Sequence, residues 1–162
     1  MRRRGLPGLP VSRRRESLFD AVGGKPTLDR VHKRFYDKVY AHPWLGRFFA
    51  GHSQEAIEFR QTQFMGQKMG GPMRYAGHAL ELAHRRMFIP RKLLLVRQAL
   101  LREALEEEGL APELIERWLR IDRAFWKQVE NDSLESFRRI DLKYEQPLIV
   151  PEPENTYEGR QP

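Results

Sequence analysis

Apolar residues recur at intervals of three and four along most of the chain, and that period predicts helices. Leu28, Val31, Phe35 and Val39 form one stripe, with Thr27 placed to cap its start. The His42-Pro43 step predicts its end, because the residue before a proline avoids helical dihedrals. A short apolar segment, 44–49, follows. Ser53 can cap a second helix carrying Ile57, Gln61, Phe64 and Met65 on one face, and Gly70-Gly71-Pro72 stops it. Residues 73–91 are less regular, with a short helical candidate at 79–85. Pro90 opens a strong helix whose apolar face holds Leu93, Val96, Leu100, Leu101, Ala104 and Leu105, and Gly109 ends it. Pro112 suits the first turn of a last long helix with Leu114, Trp118, Ile121, Phe125 and Val129. No segment alternates as a strand does. The fold class is all-α, in crossed helix pairs around one core, since no heptad persists.

Length and charge divide the chain. Its 162 residues suffice for one domain. The net charge of +7 sits largely in residues 1–15, where Arg2, Arg3, Arg4, Arg13, Arg14 and Arg15 face no acid. The rest is only mildly basic. We read 1–15 as a basic disordered arm, 16–131 as the folded domain, 132–145 as an extra helix and the proline-rich 146–162 as a flexible tail. The arm suits an acidic surface such as nucleic acid or anionic lipid, or is simply solvated. No apolar run is long enough to span a membrane or to form the core of a signal peptide, so a cytoplasmic location is expected.

The chain has no cysteine, which excludes disulfides, thiolate metal sites and thiol nucleophiles. It also excludes the CxxCH attachment of c-type haem. His32, His42, His52 and His78 form no HxxxH pair, and there is no phosphate-binding GxxxxGK[ST] loop. Three polar residues stand out. His84 precedes the apolar cluster Met87, Phe88 and Ile89, and reads either as a structural histidine or as an axial ligand. Gln61 falls on the apolar side of its helix, as a donor aimed into a pocket or as an edge residue bonded to backbone or water. Tyr36 lies beside the buried stripe, where its hydroxyl could donate to a ligand or simply flank the core. Phe48-Phe49 either wedge a flat cofactor or fill the core.

Residues 17–130 resemble the truncated haemoglobins, most closely their group 1. The resemblance is carried by Leu18-Phe19-Asp20-Ala21-Val22-Gly23-Gly24, Arg34-Phe35-Tyr36-Asp37-Lys38-Val39 and Leu45-Gly46-Arg47-Phe48-Phe49-Ala50-Gly51. It continues through Arg60-Gln61-Thr62-Gln63-Phe64-Met65, Met69-Gly70-Gly71-Pro72-Met73-Arg74-Tyr75-Ala76-Gly77 and Ala83-His84. The resemblance implies a truncated globin fold, a helical sandwich around a haem, here with N- and C-terminal extensions. It implies haem b, held non-covalently, with His84 as the proximal iron ligand. It places the distal tyrosine at Tyr36, the distal glutamine at Gln61, and Ile57 over the distal iron face. Phe49 and Phe64 become haem contacts, Arg60 and Tyr75 propionate contacts, and Met87 and Ile89 proximal wall. The implied function is reversible binding of oxygen or another diatomic gas (nitric oxide, carbon monoxide). Nitric oxide dioxygenation would need an external reductase. A gas sensor, or a helical protein binding nucleic acid through its arm, are the alternatives.

Overall fold

The computed structural model describes residues 16–77 and 79–154; the basic arm lies outside the described residues. Among them are helices α1 (Leu18–Val22), α2 (Gly24–Ala41), α3 (Gln54–Lys68), α4 (Leu80–His84), α5 (Arg91–Glu107), α6 (Pro112–Ala124), α7 (Trp126–Val129) and α8 (Leu134–Arg138). A single 3-10 turn, Leu45–Phe48, joins α2 to α3. The described residues form no strand, only one isolated bridge between Met87 and Leu148.

Several boundaries follow local chemistry. Ser53 Oγ accepts from Ala56 N–H and caps α3, and Pro112 occupies the first turn of α6. Thr27, in contrast, is no cap. Helix α2 begins earlier, at Gly24, because Gly23 takes φ +107° and turns α1 directly into α2. That left-handed backbone suits a residue without Cβ. Gly70, at φ +89°, lets the chain reverse after α3 in the same way.

The core forms where α2 packs between α3 and α5, with α6 beyond α5. The α2 stripe of Leu28, Val31, Phe35 and Val39 is almost wholly buried, as its period predicts. The last long helix differs from expectation in two ways. It breaks at Phe125, so that α7 is a separate short turn. Its most buried face is Ile115, Trp118, Leu119 and Asp122, continued by Trp126. Leu114, Ile121 and Val129 only flank the core. The expected stripe is rotated because hydropathy alone sends Asp122 outward, whereas the fold turns it in.

His32 is the core's one buried histidine among the described residues. Its Nδ1 lies 2.7 Å from Thr62 Oγ1, and Nε2 has no partner. Burial, reinforced by the charge of Arg97, lowers its pKa from 6.5 to about 3. The unfolded chain takes up this proton near pH 6.5, while the folded chain refuses it until about pH 3. Stability is therefore expected to fall by several kcal/mol as pH drops through that window. His32→Gln should flatten the upper part of the fall, between about pH 6.5 and 5, in denaturant melts of the haem-free protein. An unaltered slope there would contradict the assignment.

The C-terminal extension departs from a free tail. Helix α8 is shorter than the expected 132–145 and buries Phe137 against Phe88, with ring centroids 5.6 Å apart. Farther on, Leu148 N–H donates to Arg86 O at 2.7 Å, and Phe88 N–H donates to Leu148 O at 2.9 Å. Val150 is buried, its carbonyl accepts from Trp44 Nε1 at 3.0 Å, and Lys92 pairs with Glu152 at 2.6 Å. Residues 146–152 thus strap the segment that follows α4. Periodicity could not show this, because the strap is irregular and its partners lie 60 to 106 residues away. Truncation after Glu145 is expected to cost about 3 kcal/mol, the scale of one buried and one partly buried aliphatic side chain. A urea melt checks it; an unchanged midpoint would show that the strap adds nothing.

Candidate functional site

Helices α2 to α7 enclose a cavity of about 280 Å3. Every residue singled out from the sequence lines it. Tyr36 comes from α2 and Phe49 follows the 3-10 turn. Helix α3 supplies Ile57, Arg60, Gln61 and Phe64. Tyr75 comes from the following loop, His84 from the end of α4, and Met87 and Ile89 from the strapped segment. The weak amphipathicity of α3 now has a cause. Its Thr62 and Met65 face the core, while Ile57, Gln61 and Phe64 are only partly buried because they face the cavity.

His84 is the residue with the most telling hydrogen bond. Its Nδ1 lies 2.8 Å from the carbonyl oxygen of Leu80, one turn back. A carbonyl only accepts, so Nδ1 carries the proton and donates. The neutral ring therefore keeps its lone pair on Nε2, the form in which imidazole ligates a metal. Burial pushes the His84 pKa down, Arg97 adds to this, and the Leu80 carbonyl opposes it. The ring stays uncharged at neutral pH. Since α4 is only one turn long, its position depends on its surroundings. Arg85 donates to the carbonyl of Asp141, and Ile89 and Asn131 exchange two hydrogen bonds of 2.8 Å each. Asp141 and Asn131 thereby hold the stretch that follows the histidine, 85–89.

Tyr36 is buried, edge-on to Phe35 and Phe49. Burial pushes its phenol up to about 12, against the opposing charge of Arg97. Its hydroxyl is therefore a neutral donor at physiological pH. The Gln61 side-chain amide, partly buried in the cavity wall, has no hydrogen-bond partner among the described residues. Ile57 adds no polar atom. Phe64 packs edge-on against Tyr75 at 5.3 Å and Phe125 at 5.1 Å, closing one side. Arg60 is exposed where it meets the cavity and has no ion pair among the described residues.

Two charged residues in the cavity wall were not singled out from the sequence, Arg97 and Asp122. Arg97 Nη1 donates to both carboxylate oxygens of Asp122, at 2.9 and 2.7 Å. Asp122 keeps 5% of its side-chain surface and Arg97 22%. A signal existed. Arg97 stands four residues from Leu93 and from Leu101, and Asp122 four from Trp118 and from Trp126. Opposite charges in the core stripes of consecutive helices foretell a buried pair.

The donor set suits a haem. It offers one neutral imidazole with a free Nε2, aromatic and aliphatic walls, and an arginine at the mouth. No helix among the described residues is long and apolar enough to cross a membrane.

Comparison with known proteins agrees with this architecture. A family model for bacterial-like globins matches residues 17–131. The group 1 truncated hemoglobin GlbN of Mycolicibacterium paratuberculosis is 32% identical over 68 residues, covering 42% of this chain and 50% of the relative. This chain spans 50–62% of the length of the curated relatives it matches. The ferric truncated hemoglobin of Tetrahymena pyriformis superposes with a TM-score of 0.68 at 22% identity, over 72% of this chain and all of that one. A 2/2 hemoglobin from Synechococcus sp. PCC 7002, in the cyanomet state with covalently attached heme, gives 0.62 at 25% identity, over 65% of this chain and 89% of that one. The fold is that of the truncated globins, and the chain belongs to the bacterial-like globin family.

Proposed function

We propose that the cavity holds one haem b, non-covalently, with His84 Nε2 as the proximal ligand. The observation that carries this reading is the Nδ1–H donation from His84 to Leu80 O, which fixes the ligating tautomer in advance. The absence of cysteine excludes thioether attachment, so the group is retained by His84 and by the apolar walls, Phe49, Phe64, Met87 and Ile89 among them. Arg60 and Tyr75 suit the propionates, which carry negative charge and need donors. When bound in the ferrous state, the haem supplies an open iron position for a diatomic gas such as oxygen.

Tyr36 and Gln61 define what that position prefers. The Tyr36 hydroxyl is neutral, and the Gln61 amide lacks a partner among the described residues. Both are donors that favour a polar ligand, while Ile57 contributes shape alone. Reversible gas binding follows from these groups. Nitric oxide dioxygenation would require electrons from a separate reductase. Carbon monoxide added to the reduced, haem-loaded protein is expected to shift the Soret band sharply. A spectrum indifferent to carbon monoxide would refute an accessible iron position.

A further inference from the structure

The pair formed by Arg97 and Asp122 is more than the cavity needs for closure. Two apolar side chains of similar volume would fill the same space without the cost of removing charges from water. The geometry also differs from a fully engaged pair. An arginine commonly meets a carboxylate with two nitrogens, one to each oxygen. Here a single nitrogen, Nη1, serves both oxygens of Asp122. Asp122 therefore leaves Nε and Nη2 unclaimed, and the side chain lines the cavity. The guanidinium lies 5.2 Å from the Phe35 ring centroid, which helps to hold its plane. Its charge also bears on the neighbouring Tyr36.

The charges around the cavity point the same way. Arg60 and Arg97 line it, against the single carboxylate of Asp122. Asp122 is itself buried and already engaged, so it anchors the arginine and faces no ligand as a free anion. Three residues that carry N–H or O–H donors line this one cavity: Arg97, Tyr36 and Gln61. A neutral gas brings no net charge to the guanidinium, whatever donors it meets. A small planar oxyanion, with two acceptor oxygens and a negative charge, can use several.

We propose that Arg97, anchored by Asp122, makes this cavity select a small oxyanion of the nitrite class over a neutral ligand. The proposal rests on the haem reading above, because the anion would be seen where it meets the ferric iron.

The test titrates the haem-loaded ferric protein with sodium nitrite and, in parallel, with neutral imidazole, following the Soret band. Arg97→Met is expected to weaken nitrite binding about tenfold or more, the scale of one lost charge-assisted hydrogen bond. Imidazole affinity should be nearly unchanged. Because Arg97→Met strands a buried carboxylate, the double variant Arg97→Met/Asp122→Leu removes both charges together. It should lose the same nitrite affinity while keeping haem and a wild-type thermal midpoint. Asp122→Asn, which keeps an acceptor for Nη1 but removes the opposing charge, should strengthen nitrite binding several-fold. Effects of opposite sign in the Arg97 and Asp122 variants would support the proposal. Nitrite affinity unchanged in the haem-loaded double variant would overturn it while leaving the haem reading intact. A wild-type protein that takes up no haem would overturn both.

Discussion

His84→Ala is expected to abolish stable haem uptake. Losing only the supporting hydrogen bond of a metal-bound histidine typically costs about 10–100-fold in affinity, so losing the ligand itself should cost more than about a hundredfold. The expectation is sharp because the ligating tautomer is already set by Leu80 O. No other histidine of the described residues replaces His84. His32 is enclosed in the core on Thr62, and His42 accepts from the backbone N–H groups of Trp44 and Leu45 through Nδ1. His52 does line the cavity, but it is exposed on the turn before α3. Haem titration of the variant checks the prediction. A normal five-coordinate ferrous spectrum in His84→Ala would assign the ligand elsewhere.

The second large effect concerns the two donors. Tyr36→Phe and Gln61→Leu are each expected to speed oxygen dissociation about ten- to a hundredfold. That range corresponds to losing a hydrogen bond of roughly 1.5–3 kcal/mol to a ligand with developed charge. Tyr36→Phe removes only the hydroxyl and preserves the edge-on packing with Phe35 and Phe49, so folding should be little affected. Gln61 has no partner to strand among the described residues. Stopped-flow displacement of oxygen by carbon monoxide reads both rates. Unchanged rates in both variants would remove Tyr36 and Gln61 from the ligand's surroundings.

Periodicity revealed the core where a helix is buried for structural reasons alone. Leu28, Val31, Phe35 and Val39 repeat cleanly because α2 lies between α3 and α5. It failed where a helix also serves a cavity. On α3, Ile57, Gln61 and Phe64 form a second face, which blurs the apolar stripe. Arg97 and Asp122 escaped notice because charge is normally read as surface, although their spacing placed them among core residues. The break at Phe125 carries neither glycine nor proline to announce it. The strap at 146–152 was illegible for another reason. Its holds are single residues, Leu148 and Val150, whose partners are distant in sequence and visible only once the chain has folded.

His84 itself shows how such evidence combines. Alone it is one of five histidines. Its distance from Gly70-Gly71-Pro72 and the presence of Tyr36 and Gln61 singled it out through the family resemblance. The structure adds what spacing cannot supply, the donation from Nδ1 to Leu80 O. It also ties the C-terminal extension to the site, since the bridge between Met87 and Leu148 holds the chain three residues past the histidine.

The most direct measurement is a titration of the purified haem-free protein with haem, followed in the Soret region. The account predicts saturation at one haem per chain in the wild type and, after reduction, the spectrum of a histidine-ligated ferrous haem. A wild-type protein that shows only the spectrum of free haem at every ratio would contradict it.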